Sequence, residues 1–242
     1  MNDPAAHFGL DSSRLEAIVK SALASATRHG ASQAEAGVSL GTGLSVTVRR
    51  SQVETLEHQR DRSFSLTVYF GQRKGSASTS DLTAGAIEET VAKACSIASH
   101  TAEDPCAGLA DPALMADNPA DLELDHPWPL SPDEAIELAT ACEEAGLAAD
   151  PRISNSEGGS LNTGRALRVY GNTHGFIGGY PSTSHSLSCV LVAGEGDGME
   201  RDYWYTSARD PGRLESAEEV GRRAAERTLM RLGATRLSTR TT

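Results

Sequence analysis

The stretch Arg62–Thr83, RSFSLTVYFGQRKGSASTSDLT, most restricts what this chain can fold into. Leu66, Val68 and Phe70 alternate with Ser65, Thr67 and Tyr69, the period-2 pattern of a strand with one buried face. Gly71 and Gly75 bracket Gln-Arg-Lys and predict a tight reversal. The small residues Ser76–Thr79 leave the next strand's backbone open to close approach. Ser80 and Asp81 are helix-capping types, and the apolar stripe Ile87, Val91, Ala94, Ala98 has helical spacing. The stretch is a β-hairpin running into a helix, and the same layout occurs twice in the chain.

In the first occurrence, Ser13 to Glu16 matches a capping box, and Leu15, Ile18, Val19, Ala22 and Leu23 form one apolar face. This predicts a helix over Ser13–Arg28 that stops at Gly30. Strands are predicted at Ala34–Leu40, Leu44–Arg50 and Val53–His58, with a turn at Gly41-Thr-Gly43. Residues 105–130 hold Pro105, Pro112, Pro119, Pro127 and Pro129 and predict an irregular connection between halves, pinned near Trp128. In the second occurrence, Ser131 to Glu134 is a capping box with Pro132 at the first helical position. Strands follow at Ile153–Leu161, Arg165–Tyr170, Gly175–Tyr180, Ser184–Ala193 and Met199–Thr206, with a hairpin turn at Gly194–Gly198. Ser216 to Glu219 opens the last helix. Helices segregated from antiparallel strands define the α+β class. The expectation is a duplicated helix–strands–helix unit, residues 1–104 and 131–242, forming two sheets with helices packed on them.

At 242 residues the chain can bury a substantial core. A net charge of −11 argues against a nucleic-acid binder, which needs a basic face, and against an anionic membrane surface. No apolar run reaches the length of a membrane span, and the N-terminus carries no secretory pattern. A cytoplasmic location is expected. Cys95, Cys106, Cys142 and Cys189 are widely spaced without a C-x-x-C, so reduced thiols are expected rather than disulfides or zinc ligands.

Chemistry is sparse. Gly37-Val-Ser39-Leu-Gly41 fits G-x-S-x-G, but a nucleophile elbow needs a helix after the serine, and a strand is predicted there. None of the seven histidines precedes a glutamate in a helical metalloprotease spacing. His174 and His185 fall in neighbouring strands without a third ligand, which favours hydrogen-bonding roles. Gly171–Tyr180, GNTHGFIGGY, is glycine-rich but no helix follows to complete a phosphate cradle. His174, Phe176 and Tyr180 there, with Tyr203, Trp204 and Tyr205 in the RDYWY segment, are the candidate peptide or partner surface. The RDYWY segment reads equally as a strand buried on one side or as an interface.

The stretches AEAGVSLGTGLSVTVRR (Ala34–Arg50), VETLEHQRD (Val53–Asp61), VYFGQRKGSASTSDL (Val68–Leu82), ISNSEG (Ile153–Gly158), VYGNTHGFIGGYPS (Val169–Ser182) and DYWYTSAR (Asp202–Arg209) resemble the TldD/PmbA family, more closely its PmbA (TldE) branch. The resemblance implies a part in a cytoplasmic zinc metalloprotease that degrades unfolded peptides and matures peptides. The zinc motif of that assembly, His-Glu-x-x-x-His, belongs to the TldD-type subunit, so zinc is expected in a partner and not in this chain. No catalytic residue carries over. The implied partners are a TldD-type catalytic subunit and extended peptides, and a homo-oligomer is compatible with the same pattern. The resemblance implies that the chain corresponds to the N-terminal half of the family's architecture, and the expectation is that the family's C-terminal domain is absent from it. The family's older association with DNA gyrase finds no support in the charge balance. The contrasting expectation is a stand-alone interaction module that dimerises through Tyr203–Tyr205.

Overall fold

The computed structural model describes residues 12–115, 119–235 and 239. The readings of Met1–Asp11 and of the stretch near Leu237 fall outside them. The elements run α1 (Ser12–Arg28), β1 (Gln33–Arg49), β2 (Gln52–Phe70), β3 (Arg73–Thr79), α2 (Ala84–His100), α3 (Pro132–Leu147), β4 (Ile153–Asn172), β5 (Ile177–Ala193), β6 (Glu200–Ala208) and α4 (Ala217–Met230). Helix, three strands, helix occurs twice, as the sequence pattern requires, and the class is α+β.

The six strands form one sheet in the order β3-β2-β1-β4-β5-β6. The expectation of two sheets is corrected by the pairing of β1 with β4. Ser45 donates to Asn162 at 2.7 Å, Thr47 shares a hydrogen bond with Ser160 at 3.0 Å, and Arg49 Nε donates to the Ser156 carbonyl at 2.8 Å. Numbers rise along β1 as they fall along β4, so the two run antiparallel. Joining the first strands of both repeats removes two unpaired edges, which separate sheets would leave open.

The strands are longer than the local pattern suggests. Gly41-Thr-Gly43 is not a turn: β1 runs through it for 17 residues. Burial keeps one phase, with Ala34, Ala36, Val38 and Leu40 followed by Leu44, Val46 and Val48. A turn would reset that phase. The true reversal is Arg50-Ser51, whose φ values of 50° and 56° suit a mirror-image hairpin turn. In the same way β2 joins two predicted strands, β4 joins Ile153–Leu161 to Arg165–Tyr170, and β5 runs through Pro181. The hairpin after β2 is also tighter than predicted. Phe70 pairs with Arg73, so the turn is Gly71-Gln72 and Gly75 lies inside β3.

The described residues divide into two compact units that interleave along the sequence. The first takes residues up to Thr42, Gln59–Asp125 and Arg165–Ser182; the second takes Gly43–His58, His126–Gly164 and residues from Thr183 on. This differs from the linear division at 104 and 131, because each long strand serves both. The first core gathers Leu15, Val19, Phe64, Leu66 and Val91 under α1 and α2. The second gathers Val46, Val48, Leu161, Leu191 and Val220 under α3 and α4. Each fully buried side chain of this size stabilises by about 1.5–3 kcal/mol.

Helix ends follow local chemistry with two shifts. Ser131 and Glu134 complete the capping box, and Ser216 accepts the Glu219 N–H. The α2 cap is Thr83 instead of Ser80 or Asp81; Asp81 accepts the Thr83 N–H. Helix α1 starts at Ser12, which places Ser13 inside its first turn. Glycine permits close packing at two places. A methyl group on Gly75 would collide with the Ala94 carbonyl of α2, and one on Gly221 would collide with the Cys142 carbonyl of α3. The prediction Gly221→Ala therefore carries a cost of about 1–3 kcal/mol from overpacking the α3–α4 contact. Urea unfolding should show a lower midpoint, whereas Gly85→Ala, whose added methyl meets nothing, should not lower it.

The Arg50-Ser51 turn has an unusual anchor. Glu143 of α3 is fully buried, and its two oxygens accept the Arg50 and Ser51 backbone N–H groups at 2.8 and 3.2 Å. Neither turn residue is glycine or asparagine, so the carboxylate offsets a strained left-handed pair. Glu143→Ala should destabilise by about 2–3 kcal/mol, since hydrogen bonds to charged groups are worth roughly 1.5–3 kcal/mol each. Replacing Arg50-Ser51 by Asn-Gly in that background should recover part of the loss in the same unfolding experiment.

Candidate peptide-binding surfaces

Sheet edges are the exposed backbone of this fold. Strand β3 covers only Phe64–Phe70 of β2. Among the described residues, Gln52–His58 in the second unit and Gln59–Ser63 in the first have β1 as their one strand neighbour. All of them but Thr55 are exposed. An isolated edge of this kind offers alternate N–H and C=O groups to another extended chain. The other edge is β6, paired with β5 over Glu200–Ala208.

The RDYWY segment lies on that β6 edge and uses both of its faces. Tyr203 and Tyr205 stack with centroids 6.2 Å apart and are 48% and 56% exposed. Trp204 points the other way, onto the second core. The Arg223 guanidinium stands 4.1 Å from its ring centroid, and the indole N–H donates to Glu215, which also accepts from Arg223 at 2.9 Å. The segment is a strand with one face packed: Trp204 is committed to the core side, while Tyr203 and Tyr205 stay exposed on the other face.

His174 and Phe176 lie around the β4–β5 turn, and Tyr180 follows within β5. His174 is exposed, and its backbone N–H donates to Asn172. Phe176 packs against Tyr170 at 6.1 Å between centroids, and Tyr180 is 50% exposed. His185 does not join them. It is 1% exposed; its Nε2 donates to the His126 carbonyl at 3.0 Å and its Nδ1 accepts from the Thr163 hydroxyl at 2.7 Å. Trp128 meets the imidazole edge-on at 5.4 Å, which pins the proline-rich connection as its composition suggests. With both nitrogens occupied by protein groups, His185 does not fit a metal ligand. Among the described residues no three His, Cys, Asp or Glu side chains form a metal-holding group.

Other reactive types are likewise committed. Ser39 lies mid-strand, its hydroxyl 2.8 Å from that of Ser63, without the strand-to-helix bend an elbow requires. The cysteines are free, and Cys95, Cys142 and Cys189 are buried. A hydrogen bond with Cys189 and burial push the Cys142 thiol far up, so it stays protonated and inert. No helix is long and apolar enough to cross a membrane among the described residues.

One group carried no signal in the sequence. Glu35 of β1 accepts hydroxyl hydrogen bonds from Tyr69 of β2 at 3.3 Å and Tyr170 of β4 at 3.0 Å. Asn172 lies behind, with Nδ2 3.4 Å from the Tyr170 hydroxyl and 3.6 Å from Met115 Sδ. Burial, then the Glu35 carboxylate, pushes Tyr69 up to about 12. These residues sit 34 and 135 positions from Glu35, so only the β2-β1-β4 strand order brings them together.

Comparison with known proteins supplies the family. The PmbA/TldA metallopeptidase domain 1 matches residues 34–98, and the PmbA/TldA metallopeptidase central domain matches 125–232. Metalloprotease PmbA of Escherichia coli O157:H7 is 50% identical over 206 residues, covering 85% of this chain and 46% of that protein. The Metalloprotease PmbA homolog of Haemophilus influenzae is 44% identical over 226 residues, 93% of this chain and 50% of the relative. The chain thus spans about half the length of these relatives. A crystal structure from Bacteroides thetaiotaomicron, described as that of a candidate DNA gyrase modulator, superposes with a TM-score of 0.83 at 27% identity, covering 92% of this chain and 51% of the other. TldE from Thermococcus kodakarensis shares the fold, with a TM-score of 0.72 at 16% identity over 88% and 47% of the two chains. Conserved fold, both matched domains and half-identical sequence agree: this chain belongs to the PmbA/TldD metallopeptidase family.

Proposed function

We propose that this chain is the non-catalytic, peptide-holding part of a PmbA/TldE-type subunit that works beside a zinc-bearing TldD-type subunit in the cytoplasm. The observation that carries the reading is that β2 beyond β3, and β6, have no further strand on their outer sides among the described residues, with Tyr203 and Tyr205 exposed on β6. The Tyr203 N–H is held by Asp202 and the Asp202 carbonyl by the Thr228 hydroxyl, so the rest of that edge is what a peptide would use. An unfolded chain added to a sheet edge gains main-chain hydrogen bonds whatever its sequence, as a peptidase acting on unfolded peptides needs. Side-chain pockets are not required for such binding, and His185, Cys95, Cys142 and Cys189 are buried within the structure.

Among the described residues no three metal-ligating side chains come together, and the reading assigns hydrolysis to the partner. This chain's contribution is to orient the extended substrate and keep it extended. His174, Phe176, Tyr180, Tyr203 and Tyr205 border the holding surfaces, and Trp204 stiffens the β6 edge from behind.

A second reading rests on the stacked tyrosines: they present apolar area with polar tips, the composition of a protein interface, and would let the chain pair with another protein without any peptidase. Three measurements separate the two. Purified alone, the chain should hydrolyse no unfolded peptide and should contain no stoichiometric zinc by elemental analysis. The relative-length subunit that includes this region should co-purify with a TldD-type subunit, and chelation should abolish the pair's hydrolysis. Hydrolysis by this chain that survives chelation overturns the assignment of chemistry to the partner.

A further inference from the structure

We propose that Glu35, with Tyr69, Tyr170 and Phe176, forms a subsite for an ammonium or guanidinium group of a bound peptide. This inference rests on the peptide-holding reading and adds a charge preference to it. Its basis is a carboxylate that lacks a counter-ion. Glu35 is half-buried, and each oxygen accepts one tyrosine hydroxyl. Hydroxyl donors satisfy lone pairs but leave the charge in place. Among the described residues the ion pairs all use other carboxylates, and no Lys, Arg or His reaches Glu35.

The surroundings suit a cation. Partial burial lowers the local dielectric, so a charge arriving at Glu35 is attracted more strongly than at an open surface. Tyr170 and Phe176 stand 6.1 Å apart at 41°, and ring faces attract ammonium and guanidinium groups. Tyr170 is 36% exposed, so the cluster is reachable from solvent. Burial and the Glu35 carboxylate together keep the Tyr69 hydroxyl protonated through the neutral range, so it remains a donor and the carboxylate stays positioned. Two exposed cations lie on nearby strands. Lys74 is opposite Tyr69 in the β2–β3 register, and Arg168 is two residues before Tyr170. Neither bonds Glu35, so a ligand's cation meets competition but no occupied pair.

The test titrates the chain with three short unstructured peptides by calorimetry. The first is N-acetylated with one central lysine; the second replaces that lysine by norleucine; the third has norleucine and a free N-terminus. Binding of the first about tenfold tighter than the second is expected, and the ratio should shrink with added salt. A matching advantage for the third would identify the N-terminal amine as the source of the cation. Glu35→Gln should bring the ratio to about one while leaving norleucine-peptide binding unchanged. Should that variant fail to fold, Tyr170→Leu keeps the carboxylate, removes ring and hydroxyl, and should cut the ratio at least threefold. Equal binding of all three peptides to the wild-type chain, or a preference that survives Glu35→Gln, overturns the inference alone. Binding of none of them removes the peptide-holding reading and this inference with it.

Discussion

The backbone ladder between β1 and β4 is what the rest of the molecule depends on. Each repeat alone would be a three-stranded meander with an exposed first strand. Pairing the two first strands joins two three-stranded sheets into one of six strands and leaves neither first strand as an open edge. The ladder joins strands of 17 to 20 residues, and β1 and β4 each contribute buried side chains to both cores. It draws Glu35 next to Tyr170 and Thr47 next to Ser160. Where the sheet ends is as informative: among the described residues no further strand lies outside β2 beyond β3, or outside β6.

Much of this was legible in the residues. Three capping-box matches, of which Ser131 and Glu134 form the complete one, with the helical stripes and the period-2 segments, pointed to four helices with strands between them, and their repetition announced the duplication. The errors share one cause. Gly41, Gly43, Gly164 and Pro181 are usual punctuation, and the local reading broke strands there. A glycine permits a turn but does not enforce one, and the uninterrupted burial phase from Ala34 to Val48 was the stronger signal. The real turn, Arg50-Ser51, has no turn-forming residue at all. It is held by Glu143, 93 and 92 residues away, and no local pattern could announce that. Strand order and the Glu35 cluster were invisible for the same reason: they depend on which edges meet.

The candidate site was legible only in part. Exposed tyrosines at Tyr203 and Tyr205 follow from alternation in a strand with one buried face. That Trp204 is stacked by Arg223 and held by Glu215 requires α4 to lie behind β6. His174 and His185, near in sequence, are separated by function: one sits in an exposed turn, and the other fastens the connection at His126. For a family whose members act on proteins, a surface of open backbone with few committed side chains is a coherent division of labour. Affinity from main-chain hydrogen bonds is indifferent to sequence, and under the proposal above the Glu35 cluster would add a charge preference to it.

The most direct test of that account is amide hydrogen exchange on this chain with and without a saturating unfolded peptide. Peptide addition to an edge slows exchange at alternate residues of one outer strand, within Gln52–Ser63 or Glu200–Ala208, and leaves the helices as they were. Bound peptide that slows exchange only in helices or loops, with both outer strands unchanged, would contradict the proposal that this fold holds its ligands by their backbones.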